Sequence, residues 1–159
     1  MENSTYASQL LAHAESLYSV ANSTTPRQTY YTALGDEVAA YASSDWRDNL
    51  CASALALALA TNNSAYYADA YNYYVQYGLS GTHEVWNWDS SQPAIYVMFA
   101  EIASAKPELA QGAGLDVNLT GWQTEVENYF DGLIKEDFSN SYLTEGEQNP
   151  SKKTTSLRE

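Results

Sequence analysis

The run Leu50-Cys51-Ala52-Ser53-Ala54-Leu55-Ala56-Leu57-Ala58-Leu59-Ala60 decides the fold, because it carries no charge on any face. Its leucines and alanines alternate, which by period alone would suit a strand. Alanine is a strong helix former and a poor strand former, so the run predicts a helix from about Trp46 to Ala60. A helix that is apolar all round offers no side to water and is expected to be covered on every side. Asp45 is placed to cap it, and Asp48 falls in the first turn, where a negative charge suits the helix dipole.

Downstream the pattern changes. From about Ser64 to Tyr77 the chain is lined by Tyr66, Tyr67, Tyr71, Tyr73, Tyr74 and Tyr77, interrupted by Asp69 and Asn72. Tyrosine buries its ring and keeps its hydroxyl wet, so this helix is expected to be half exposed, with Gly78 ending it. The loop Leu79–Ser91 follows and carries His83, Trp86, Trp88 and Asp89. Pro93 suits the start of a further helix, about Gln92 to Ser104. Its run Ala94-Ile95-Tyr96-Val97-Met98-Phe99-Ala100 again has no polar face before Glu101, and Lys106-Pro107 closes it. A glycine-rich loop, Gln111–Asn118, leads to a last helix from Thr120 to about Ile134, striped by Trp122, Val126, Tyr129, Phe130 and Leu133. Upstream, Tyr6, Leu10, Ala14, Leu17 and Tyr18 recur at helical spacing from about Thr5 to Val20, with Ser4 as a cap and Ser23-Thr24-Thr25-Pro26 as breakers.

Helices apolar throughout therefore alternate with amphipathic ones. The expected architecture is all-α, a partial α/α toroid with buried helices inside and half-exposed helices outside. A plain helical bundle is the competing arrangement. In a toroid the loops at one end of the inner helices form the working face, and Leu79–Ser91 would be such a loop. After Tyr142 the apolar pattern stops, and the polar stretch from Glu145 is expected to be a disordered tail.

The composition narrows the function. The chain has 159 residues, 45% of them hydrophobic and 17% charged, enough for one globular domain with a core. Twenty acids against seven bases give a net charge of −13, which argues against nucleic acid and is compatible with a neutral sugar or a bound cation. No apolar run reaches membrane-spanning length. Cys51 is the single cysteine, read as a small buried hydrophobe, and the spacing of Cys51, His13 and His83 carries no transition-metal signature. Four Asn-x-Ser/Thr sequons begin at Asn3, Asn22, Asn62 and Asn118, all near expected helix ends. They point to a secreted eukaryotic parent, although no signal peptide precedes the polar run after Met1.

Hydrolysis of a glycosidic bond with inversion needs two carboxyls roughly 6.5–9.5 Å apart. Asp36, Glu37, Asp45, Asp48, Glu84 and Asp89 are candidates by residue type, and spacing singles out none of them. The strongest local signal is Trp86-Asn87-Trp88-Asp89. Exposed aromatic rings stack on the C–H faces of sugars, while neighbouring Asn or Asp side chains bond hydroxyls. Loop tryptophans also serve as core plugs. Trp88 is the preferred stacking residue, with Trp86 and Asp89 beside it. Segment Asp45–Asn49 offers hard oxygens that would suit calcium, against the simpler reading of helix capping.

Three stretches together resemble glycoside hydrolase family 9, closest in flavour to its fungal members. They are Tyr6-Ala7-Ser8-Gln9-Leu10-Leu11-Ala12-His13-Ala14, Tyr41-Ala42-Ser43-Ser44-Asp45-Trp46-Arg47-Asp48-Asn49-Leu50 with the run to Tyr67, and Tyr73-Tyr74 followed by Trp88-Asp89. The resemblance covers residues 4–144, with 145–159 as a tail of another character. It implies an arc of an α/α six-hairpin barrel and a secreted endo-β-1,4-glucanase acting on cellulose with inversion. The family's catalytic aspartates lie N-terminal to the matched region, and its general-acid glutamate and substrate-binding histidine lie C-terminal to it. The resemblance therefore implies an internal fragment, inactive by itself, and assigns no catalytic residue. It implies a glucose-stacking role for Trp88. Asp48 matches the Asp of a calcium-binding Asp-Glu pair near Ser44 and Asp45, with Asn49 in place of the Glu, so any structural calcium site would be degraded. The competing function is a non-catalytic helical carbohydrate-binding module. Five helices would leave an arc open, so exposed leucines on the inner helices and self-association are expected.

Overall fold

The computed structural model describes residues 4–34, 42–81, 85–135 and 137–138. Asp36, Glu37, His83, Glu84, the sequon at Asn3 and the expected tail lie outside the described residues. The chain is all-α. Its described helices are α1 (Ser4–Ser23), α2 (Tyr30–Leu34), α3 (Arg47–Thr61), α4 (Ser64–Gln76), α5 (Gln92–Ala105), α6 (Glu108–Gly112) and α7 (Leu119–Lys135).

The five long helices match the five read from apolar spacing, and α2 and α6 are additions. Each addition is a five-residue turn, too short to show a helical period. Pro107 closes α5 as expected, and α6 follows directly from it. Other punctuation holds as read. Pro93 opens α5. Gly78 adopts a left-handed φ of 62° after α4, with the N–H of Leu79 bonded back to the Tyr74 carbonyl. Asp45 does cap α3, from one residue further out, its Oδ1 accepting the N–H groups of Trp46 and Arg47 at 2.7 and 3.1 Å. Asn63, unforeseen in the sequence, caps α4 through the N–H of Ala65.

Helix α3 lies at the centre, packed on α1, α4 and α5, and α5 packs in turn on α7. Leu55 and Ile95 from this inner pair are fully buried, as are Phe99 and Cys51, whose thiol donates to the Ala70 carbonyl. Burial pushes the Cys51 thiol up to about 12, so it stays protonated and inert. The outer helix α4 buries Tyr67, Ala70, Tyr73 and Tyr74 and exposes Asn72, Val75 and Gln76, the half-exposed character expected of it.

Two expectations about buried faces are corrected. Helix α3 is not covered on every side, because Asn49, Ser53, Ala56 and Ala60 form an open stripe. Leu50, Leu55 and Leu57 nevertheless lie inside, so the open side exposes small residues rather than leucines and costs far less apolar exposure. Helix α1 is rotated so that Tyr18 alone of its apolar stripe is buried, while Ala14 and Leu17 border the groove toward α3. Tyr6, Leu10, Ala14 and Leu17 are exposed, and the inward face is Leu11, Glu15, Tyr18 and Asn22.

The reason lies in α4. Its tyrosine hydroxyls need acceptors, and α1 supplies them. Tyr66 donates to Glu15 at 3.3 Å, and Tyr73 donates to Asn22 Oδ1. Tyr18 of α1 donates to Asp69 of α4 at 2.9 Å. Each such bond contributes about 0.5–1.5 kcal/mol, and the three together tie α1 to α4 through the face that carries Glu15, Tyr18 and Asn22. The Tyr18 hydroxyl is held well above the ordinary phenol range by burial and by its bonds to Tyr73 and Asp69.

Candidate sugar-binding turn

The turn 85–91 is built around Asn87. Its side-chain oxygen accepts the N–H groups of Asp89 and Ser90 at 2.7 and 3.2 Å, and its amide donates to the Val85 carbonyl at 2.8 Å. The Asn87 and Ser90 backbones also bond each other. An Asn side chain mimicking a backbone turn in this way fixes a tight reversal. The reversal leaves Trp86 and Trp88 pointing outward, 63% and 59% exposed. The alternative in which these tryptophans plug the core is therefore set aside.

The turn is tied down on two sides. Toward α3, the Ser44 N–H donates to Asp89 Oδ1 at 2.6 Å, the Ser91 N–H to Asp48 Oδ2 at 2.6 Å and the Ser91 hydroxyl to Asn49 Oδ1 at 2.7 Å. Toward α7, the Trp86 N–H meets the Tyr129 hydroxyl at 3.4 Å. The structure thus brings Ser44, Asp48, Asn49, Trp86, Trp88 and Asp89 to one end of the helix array. Asp45 lies alongside, engaged with the α3 N-terminus and with Arg47 at 3.2 Å. The turn-fixing role of Asn87 and the contacts of Ser91 and Tyr129 are the parts that sequence reading missed. The spacing Asn87-Trp88-Asp89-Ser90, with polar residues after an Asn, was the available signal for the first.

The proposed calcium ligands have the right chemistry, since Ser44, Asp45, Asp48 and Asn49 are hard oxygen donors. Asp45 Oδ1 and Asp48 Oδ2 accept backbone N–H groups, and Asn49 Oδ1 accepts the Ser91 hydroxyl. Among the described residues no three His, Cys, Asp or Glu side chains converge to hold a metal. Asp48 Oδ1, however, is buried and has no hydrogen-bond partner, which is the position a hard cation would satisfy.

Burial raises the Asp48 carboxyl above its ordinary range, with nearby Asp45 adding to the rise and the N–H groups of Ser91 and Asn49 opposing it. A raised carboxyl binds its proton more tightly in the folded than in the unfolded chain. Its contribution to stability therefore falls as pH rises from the usual value of about 3.9 through the folded value. At neutral pH without a cation, Asp48 works against folding. Asp48→Asn keeps an oxygen for the Ser91 N–H and loses the charge. We expect it to be at least as stable as the parent at pH 7 without calcium, and less pH-dependent on the acid side. Urea denaturation across pH 4–7 measures both, and a clear loss of stability at pH 7 would contradict this account.

The described chain is thus an all-helical array that presents two exposed tryptophan rings at one end. A family model, glycosyl hydrolase family 9, matches residues 1–158. The chain belongs to that family, which places it among glycoside hydrolases of the cellulase type. No curated protein and no solved structure matches it. No helix among the described residues is long and apolar enough to cross a membrane.

Proposed function

We propose that this chain is part of a secreted endo-β-1,4-glucanase that cleaves cellulose-type chains with inversion, and that its share of the task is to grip the glucan at Trp88 and Trp86. The observation that carries the reading is the pair of exposed tryptophan rings on a turn fixed by Asn87. Asp89 holds the turn against Ser44 and sets the angle of Trp88 beside it. In the parent enzyme α3 and α5 serve as inner helices of a toroid arc, and their N-terminal ends face the glucan.

The chain by itself does not hydrolyse. Inversion needs an acid and a base that are both available to substrate and water. At the turn, Asp48 is buried and accepts the Ser91 N–H, Asp89 accepts the Ser44 N–H, and Asp45 holds the start of α3 and Arg47. An assay for new reducing ends on soluble cellulose derivatives is expected to stay at the blank, and turnover above it would overturn the inactivity. A binding-only helical module is less favoured, since the family is one of hydrolases. Calcium belongs to the proposal as a structural ion at Asp48. It is expected to raise the unfolding temperature of the parent chain and to leave Asp48→Asn unmoved. An equal rise in both would place the ion elsewhere.

A second copy of the chain is the proposed partner. The groove between α1 and α3, about 630 Å³, is lined by Leu11, Leu17, Tyr18, Trp46, Leu50 and Ala56 among others, with Arg27 its one charged residue. In a chain of net charge −13, this carboxylate-free surface is where two copies approach with least repulsion. Sedimentation is expected to show a concentration-dependent dimer that Leu17→Glu abolishes. A monomer at every concentration would remove the partner.

A further inference from the structure

Helix α1 carries an ordered row of side chains on its outer side. Tyr6, Leu10, Leu17 and Val20 are 58%, 50%, 72% and 62% exposed, and His13 is exposed between them. At 3.6 residues per turn all five lie within about 40° of one direction, roughly 150° from the inward face of Leu11, Glu15, Tyr18 and Asn22. Their spacings alternate between four and three residues, the heptad pattern through which two helices pack side by side. Ala7, Ala14 and Ala21 flank the row on one side and let a second helix approach closely, while Gln9, Ser16 and Ser23 flank it on the other. Neither the row nor its flanks hold a carboxylate, in a chain of net charge −13. Ala14, Leu17 and Ala21 also line the groove toward α3, so the row is continuous with the surface assigned above to a second copy.

The row is also symmetric about His13. Leu10 and Leu17 stand three and four residues from it, and Tyr6 and Val20 seven residues to either side. Two copies of α1 laid antiparallel about a two-fold axis at His13 set Leu10 against Leu17 of the second copy, Tyr6 against Val20 of the second copy, and the two imidazoles against each other. Such a surface is self-complementary, as an isologous dimer requires. Antiparallel pairing also places the positive end of each helix dipole beside the negative end of the other, and α1 has no acid in its first turn and no base in its last to offset these ends.

Histidine gains a charge between pH 8 and pH 5. The charged and titratable groups that the fold turns toward α1 are engaged on its inner side. Tyr66 and Tyr73 of α4 bond Glu15 and Asn22, Asp69 of α4 accepts the Tyr18 hydroxyl, and Arg27 bonds the Asn22 carbonyl. Helix α3 lines the groove beside α1 with uncharged residues. Across the seam the second copy brings its own His13 and Tyr6 and no carboxylate, so nothing there offsets two imidazolium charges.

We propose that α1 pairs antiparallel with α1 of a second copy, His13 meeting His13 at the two-fold axis, and that acidification opens the pair. This rests on the reading of a second copy as partner and adds the seam and its pH dependence. Sedimentation of the full chain at pH 8 and pH 5 is expected to show a dimer that weakens about tenfold or more at the lower pH. His13→Leu should dimerise equally at both. His13→Cys under mild oxidation should give a disulfide-linked dimer and Ser19→Cys, on another side of α1, should not, since Cys51 is fully buried and leaves the introduced thiol as the one within reach. Leu10→Cys mixed with Leu17→Cys should cross-link better than either alone. All four positions are exposed, and circular dichroism checks that each variant is folded. A dimer that does not cross-link through position 13 would overturn the seam and leave the second copy seated in the groove. A His13→Leu dimer that still weakens at pH 5 would overturn the part given to His13. A monomer at both pH values would remove the seam and the second copy together.

Discussion

Phe99→Ala is expected to leave the chain largely unfolded at room temperature. Phe99 is fully buried and stacks on Trp122 with centroids 4.1 Å apart and ring planes 8° from parallel. Tyr67 and Tyr74 meet it edge-on, each at 5.5 Å. Phenylalanine is therefore the ring through which α4, α5 and α7 hold together. Truncation to alanine in a packed core costs about 3–5 kcal/mol, and lost aromatic pairs add about 0.5–1.5 kcal/mol each. A domain of this size has only about 5–15 kcal/mol in total. Relaxation into the gap is hindered because the Tyr67 hydroxyl and the Trp122 ring N–H, buried beside it, are polar and cannot be drawn deeper into apolar surroundings. Far-UV circular dichroism with urea denaturation reads the effect. Phe99→Leu, which keeps most of the volume, should retain a cooperative transition. A Phe99→Ala protein within about 1 kcal/mol of the parent would mean that α5 and α7 are not held through this ring.

Trp88→Ala is expected to abolish measurable binding of cello-oligosaccharides while leaving the fold intact. The ring is 59% exposed, so its removal opens no cavity. A glucose face laid on an indole removes on the order of 80 Å² of apolar surface from water, about 2 kcal/mol or roughly 30-fold in affinity. A weak binder loses saturation within the usable concentration range under such a change. Tryptophan fluorescence and calorimetric titration with cellohexaose should show a parent isotherm and a flat variant. Trp86→Ala should give a smaller loss, and Asn87→Ala an intermediate one through a loosened turn. Equal binding by the parent and Trp88→Ala would place the glucan on another surface.

Much of this fold was legible because the signals were local. The charge-free run from Leu50 to Ala60 identified α3, Pro93 opened α5 and Gly78 closed α4, each through backbone geometry that acts within a turn of the residue itself. The tyrosine ladder from Tyr66 to Tyr77 likewise announced a helix with one wet side. The burial of Cys51 followed from its neighbours on the same helix. Helices α2 and α6 escaped notice because one turn contains too few residues for a period to register.

The site divides in the same way. Residue types at 86–89 identified an aromatic patch, but whether the rings faced the core or the solvent was not written in them. That was settled by Asn87 folding back on Asp89 and Ser90, and by Ser44, Ser91 and Tyr129 pinning the turn from elements distant in sequence. Asp48 could be read as a first-turn acid on α3, whereas its burial and its unpaired oxygen depend on the chain near Ser91 closing over it.

By itself, then, the sequence determined that this chain is helical, where its long helices lie and which two are most apolar, since propensity and period act between residues a few positions apart. Only the tertiary structure decided which way α1 faces. Of the apolar stripe from Tyr6 to Tyr18 only Tyr18 is buried, and the hydroxyls of Tyr66 and Tyr73, each 51 residues from its acceptor, bond the adjoining face at Glu15 and Asn22. Hydrogen bonds made across the gap between helices join residues far apart in sequence, so the period of a single helix does not contain them.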